Sequence, residues 1–270
     1  MDQLLFKLKM LRFYPETTKV IFLDLEYYVP KADRGRASYG GMSFSPFLPG
    51  HRIMGGVFQT YFPMQDRLEA PRAFWEWELG SEAAVLRALY KHIETQWRSI
   101  KKQSGGLMLA GIGISYSDIP ALLARMISTE VAPSENVHDL LFGCRQIDLS
   151  VATFCQFSFN QSYFAYPKTK SALYQKYIPN RKMESGTSVW DAYDAGNYQA
   201  IESRCQQEID DMLSIYKAMV DLRKHTDTSL KRLKRFEKII DQHPELLQTQ
   251  AVVDTPNFTE SDAKSVLARP

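Results

Sequence analysis

Apolar and polar positions change period along the chain, and each change marks an element. Lys19 to Tyr28, KVIFLDLEYY, is dense in Val, Ile, Phe, Leu and Tyr and predicts a buried strand. His51 to Tyr61, HRIMGGVFQTY, reads as one or two short strands, with Gly55 and Gly56 marking a bulge or bend. The pattern then turns helical. Over Ser81 to Ile100, the residues Val85, Leu86, Leu89, Ile93, Trp97 and Ile100 recur at helical spacing, with Ser81 as N-cap and Gly105 just past the end. Leu107 to Ser115, LMLAGIGIS, is a small-residue apolar run that predicts a second buried strand. A helix follows at SYSDIPALLARM, where Pro120 is tolerated only in a first turn and Leu122, Leu123 and Met126 form the packing face. Asp139 to Ser150 reads as a short strand or turn, with Asp148 capping the next helix. A long helix is predicted from near Asn197 through Val220, its inner stripe being Ile201, Ile209, Met212, Leu213, Tyr216 and Met219.

Between these elements lie stretches of other character. Lys31 to Gly50 is a loop rich in Gly, Pro and Ser, the composition of a ligand-shaped connection. Phe154 to Ser188 interleaves Phe157, Phe159, Tyr163, Phe164 and Tyr166 with Lys168, Lys170, Lys176, Arg181 and Lys182. Such a pattern suits base stacking and phosphate contact, and it equally suits core aromatics. Past Leu222 the basic run RKHTDTSLKRLKRFEKIIDQ predicts a helix that either grips a nucleic-acid backbone or packs its Leu230, Leu233, Phe236 and Ile239 stripe on the domain. The organisation expected is one domain over 1–222, a basic helical extension over 223–247 and a flexible tail over 248–270.

Composition narrows the class. Hydrophobic residues make up 44% of 270, enough for a sizeable core, and the net charge of +2 leaves any electrostatic footprint to local patches. Cys144, Cys155 and Cys205 match neither a zinc spacing nor a disulfide framework, which favours a reducing, cytoplasmic setting. The N-terminal residues do not resemble a signal peptide, and no apolar run is long enough to span a bilayer. The five histidines have no zinc spacing, and no phosphate-binding loop or nucleophile elbow occurs.

The candidate chemistry begins with Asp24 and Glu26. Side chains two apart share a strand face, so two carboxylates on one buried face repel each other and lose solvent unless a cation joins them. Hard cations such as Mg²⁺ or Mn²⁺ take oxygen ligands and serve phosphoryl displacement. The plain alternative is an acid at a strand end, solvated and without a role. Asp118 is open in the same way between helix N-cap and metal ligand.

Taken together, VIFLDLEYY, LAGIGISYSDIPALLARM and DAYDAGNYQAIESRCQQEIDDMLSIY resemble the three motifs of the DEDD superfamily of 3′–5′ exonucleases, notably the stand-alone enzymes related to the proofreading domain of B-family DNA polymerases. The resemblance spans roughly Val20 to Met219. It implies an RNase H-like α/β fold, a mixed β-sheet flanked by α-helices. It also implies two Mg²⁺ or Mn²⁺ ions about 4 Å apart on Asp24, Glu26, Asp118 and Glu208. Gly196-Asn197, Ile201 and Ile209 set the third-motif register, which puts Arg204 where the family has a tyrosine and Glu208 where it has an aspartate. Arg204 is always protonated and suits phosphate binding or charge neutralisation, not the orientation of an attacking water. A second register uses Tyr198 and Glu202 but loses the Gly-Asn and Ile anchors. The partner implied is nucleic acid, DNA ahead of RNA, contacted by Arg204, Lys168, Lys170, Arg181 and Lys182, with no membrane. A catalytically inactive nucleic-acid-binding module is the alternative, and a protein-interaction scaffold a third reading.

Overall fold

The computed structural model describes residues 15–35, 43–101, 106–153, 168–181 and 186–242. Packing divides the chain into two units, Met1–Tyr216 and Lys217–Pro270. The first holds a mixed sheet of six strands, β1 (Lys19–Tyr28), β2 (Arg52–Phe62), β3 (Arg67–Leu68), β4 (Arg72–Trp75), β5 (Leu107–Gly111) and β6 (Arg145–Asp148). Its order is β3-β2-β1-β5-β6, with β4 also on β2. β1 lies between β2, which is antiparallel to it, and β5, which is parallel, and β5 and β6 are parallel. The helices that flank the sheet are α1 (Glu76–Leu79), α2 (Glu82–Lys101), α3 (Asp118–Ser128), α4 (Ser134–Gly143), α5 (Leu149–Ala152), α6 (Lys170–Tyr177), α7 (Ser188–Asp194) and α8 (Tyr198–Gln242). Among the described residues no helix is long and apolar enough to cross a membrane.

The alternation of a strand gives β1 two distinct faces. Its odd positions Ile21, Leu23 and Leu25 join Val85, Leu86, Leu89 and Ile93 of α2 and Leu122 and Met126 of α3 in the main core. Its even positions run Val20, Phe22, Asp24 and Glu26. That second face meets α8, where the Tyr216 ring stands edge-on to Phe22 with centroids 5.5 Å apart. One strand therefore supplies apolar anchors to one layer and two acids to the other.

The long hairpin partner β2 is one strand, and its irregularity sits where the glycine pair predicts. Glu26 pairs with Gly55 and Tyr27 with Ile53, so Met54 is the extra residue of a bulge. Gly55 has φ +146°, and a Cβ there would lie 2.0 Å from the Phe74 carbonyl. A Cβ at Gly56 would lie 2.2 Å from the carbonyl oxygen of Asp24. The close approach of backbones on both sides excludes any side chain at either position. The Ile53 N–H donates to Glu82 at 2.8 Å, and the same carboxylate accepts from Arg125 Nε at 2.8 Å, which ties β2, α2 and α3 together.

Two expected boundaries shift for local reasons. β5 ends at Gly111 instead of running to Ser115. The Asp148 carboxylate accepts from the N–H groups of Gly113 and Ser115, at 2.9 and 3.1 Å, and draws the chain into a turn before α3. Asp139 to Gly143 is the last part of α4, and only Arg145–Asp148 is strand. Ser81 does cap α2, its hydroxyl accepting from the Ala84 N–H at 3.3 Å. The predicted helix from Asn197 is α8, which continues without a break to Gln242, so the basic segment past Leu222 extends it. Lys182, most of the aromatic segment, Cys155 and the predicted tail lie outside the described residues.

Candidate metal centre

Three elements bring the four predicted acids together. Asp24 and Glu26 come from the C-terminal half of β1, Asp118 from the first turn of α3 and Glu208 from the third turn of α8. Their charges act on one another: Glu208, Glu26 and Asp118 all raise the pKa of Asp24. Glu26, Asp118 and Glu208 are buried. Asp118 does not cap α3 in the manner predicted. It is the first helical residue, preceded by Ser117, and its carboxylate accepts from the hydroxyl of Ser117 and from Tyr27 Oη at 3.1 Å. The turn held by Asp148 thus delivers Asp118 to the acid face of β1.

Burial dominates the electrostatics. It lifts Asp24 well above the usual carboxylate range, with Glu208 as the next cause. It pushes Glu26 up to about 7 although Arg204 opposes it. It raises Asp118 against the hydrogen bonds from Ser117 and Tyr27. Glu208 moves the other way: burial alone would raise it, but Lys170 and Arg204 outweigh burial and hold it ionised.

Two cations stand among the acids. Lys170, in the first turn of α6, is paired with Glu208 Oε2. Thr169 starts that helix by accepting from the Ala172 N–H at 3.2 Å, which aims Lys170 inward. Arg204 reaches Glu26 Oε1 at 3.2 Å with one nitrogen and Glu208 Oε1 at 3.0 Å with the other. Arg204 and Glu208 are also one helical turn apart on α8, so their pairing is built into the helix. Of the other predicted nucleic-acid contacts, Arg181 pairs with buried Asp211 at 2.9 Å, and Lys168 donates its backbone N–H to Ser150 at 2.8 Å. The second register leads elsewhere: Tyr198 stacks on Trp77 at 4.5 Å and Glu202 accepts from the Trp77 indole at 2.9 Å, an arrangement that anchors the start of α8.

Sequence reasoning missed three participants. Cys205 is fully buried, and its thiol donates to Asp24 Oδ2 at 3.2 Å. The ligand atoms of Asp24, Glu26 and Cys205 all lie within 4.8 Å of one another. Burial, then Asp24 and Glu26, push the Cys205 thiol well above its ordinary pKa. The thiol orients Asp24, and the carboxylate oxygens beside it are donors that suit Mg²⁺ or Mn²⁺. Tyr174 lies one turn beyond Lys170 on α6. Its hydroxyl is buried beside Asp211, and burial followed by the charges of Glu208 and Asp211 raises its pKa. The third is Tyr27. The one signal for Cys205 in the sequence is its place three residues before Glu208, a spacing that shares a helix face.

The chain matches no protein-family model and no curated protein.

Proposed function

We propose that this chain is a metal-dependent 3′–5′ exonuclease of RNase H-like fold that hydrolyses phosphodiester bonds at nucleic-acid ends. The observation that carries this reading is the convergence of Asp24, Glu26, Asp118 and Glu208, which are up to 184 residues apart in sequence, onto one buried face of β1. Buried carboxylates without enough cations are costly, and a divalent ion offsets that cost. Asp24, Glu26 and Asp118 would hold it, and when bound it stabilises charge developing on a phosphoryl oxygen. Cys205 keeps the Asp24 carboxylate turned toward the site, and Ser117 and Tyr27 do the same for Asp118. Arg204 and Lys170 bring positive charge to the place where a phosphodiester would enter, and both are donors suited to its oxygens. The Arg204 Nε, buried without a partner, is a further donor at the same place.

One observation favours a second reading. Glu208 has both oxygens engaged by Lys170 and Arg204, the state expected of a nucleic-acid-binding module that has exchanged metals for fixed cations. Degradation of a 3′-labelled and a 5′-labelled single strand with Mn²⁺ separates the two. Stepwise shortening from the 3′ end that disappears in Asp24→Ala is the expected outcome. Strand binding by folded protein with no shortening supports the inactive module.

A further inference from the structure

The cluster is electrically lopsided. At one pole Glu208 is paired on one oxygen with Lys170 and on the other with Arg204, and one oxygen of Glu26 is paired with Arg204 as well. At the other pole, among the described residues, Asp24 and Asp118 have no ion pair. Their hydrogen-bond donors are neutral, the Cys205 thiol on Asp24 and the hydroxyls of Ser117 and Tyr27 on Asp118, while the Lys170 charge also acts on Asp24. Four carboxylates against two fixed cations leave two formal negative charges, and Lys170 and Arg204 make their ion pairs with Glu208 and Glu26.

From this we infer that the centre takes one divalent cation, on Asp24 and Asp118 with the second oxygen of Glu26, and that Lys170 and Arg204 permanently hold the place of a second. This rests on the metal-dependent reading above and changes its stoichiometry. Two ions would put four positive charges beside Lys170 and Arg204 in a buried site, with only four carboxylates to balance six. Lys170 and Arg204 would have to leave Glu208 first. Neither is a loosely tethered surface group: Lys170 is set by the start of α6, and Arg204 is locked to Glu208 across one turn of α8. One orphan donor lies beside this pole, the Nε of Arg204. It has a hydrogen bond to offer an anion and none to offer a metal, so the cationic pole is a phosphate pole.

Calorimetric titration of the metal-depleted full chain with Mn²⁺, alongside the electron paramagnetic resonance signal of free Mn²⁺, counts the ions directly. One Mn²⁺ per chain is expected, with Asp24→Asn weakening it about tenfold or more. In the double variant Lys170→Gln, Arg204→Gln the count rises to two. Two ions in the wild type would overturn this inference and leave the metal-dependent reading intact, whereas none would overturn both. A double variant that folds by circular dichroism and still binds one ion would also overturn it. Should that variant not fold, because Glu208 is then buried without a partner, the wild-type count decides alone.

Discussion

At the scale of single residues, the acids of β1 govern how the metal-free protein responds to pH. Burial holds Glu26 at a pKa of about 7 in the folded chain, against an ordinary value of 4.5. The folded state therefore binds the Glu26 proton more tightly than the unfolded state, and stability falls as pH rises through that window. His92 acts with the opposite sign. Burial lowers it to about 4, so its contribution is lost as pH falls from the ordinary value of 6.5 toward 4. The difference between wild type and Glu26→Gln cancels the histidine. In urea with chelator, that difference should move against the wild type between about pH 5 and pH 7.5. A flat difference would mean that Glu26 does not titrate there. Cys205 makes a separate prediction. Cys205→Ala removes the donor that orients Asp24 and should weaken Mn²⁺ binding about tenfold, whereas Cys205→Ser keeps a donor and should retain most of the affinity by calorimetry.

At the scale of elements, two features outside the acid cluster decide whether it assembles. The β1–β2 hairpin closes tightly enough at Gly56 that a methyl group would overlap the Asp24 carbonyl. Gly56→Ala should cost about 3 kcal/mol in equilibrium denaturation, because the obstacle is backbone in the sheet centre and not a movable side chain. The β5–α3 turn depends on Asp148, whose two oxygens accept from Gly113, Ser115 and Ser150 N–H groups and from the Ser115 and Ser150 hydroxyls. Asp148→Ala strands three amides and two hydroxyls, and about 3 kcal/mol or more of stability should go with them. It should also weaken Mn²⁺ binding without touching a ligand, since the turn it holds delivers Asp118. A variant that loses stability but binds Mn²⁺ as well as the wild type would show the turn to be merely structural.

At the scale of the whole molecule, the sheet and α8 meet through apolar contacts and through the acids of β1, with Arg204 on Glu26 and Cys205 on Asp24. Phe22 and Tyr61 against Tyr216 supply the apolar part of that interface, and the acid pair lies two to four residues along the same face of β1. A divalent ion binding the folded state alone should therefore stabilise the first unit as a whole. Mn²⁺ at about a hundredfold excess over its dissociation constant should add about 2.7 kcal/mol, read as a rise in the thermal midpoint that chelator reverses and Asp24→Asn lacks. Equal midpoints with and without Mn²⁺ would count against any metal at this centre.

Much of this architecture lies in local pattern. The even spacing of Asp24 and Glu26, the glycine pair opposite them, the Pro120 helix start and the stripe of α8 are legible because strand and helix periods bind neighbours in sequence. The alternation of strands and helices and the pair Asp24 and Glu26 follow from these alone, whereas Asp118 and Glu208 stand out as ligands through the motif resemblance. What sequence could not decide is which charges meet. Lys170 reads as a nucleic-acid contact and Cys205 as an ordinary thiol until α6 and α8 pack on β1, because pairing with Glu208 and Asp24 joins residues 38 and 181 positions apart. Burial is equally a product of packing; it raises the pKa of Asp24, while at Glu208 Lys170 and Arg204 outweigh it and lower the pKa. The acids were written into the chain, but their balance against two fixed cations exists only in the folded molecule, where distance and dielectric are set by tertiary contacts.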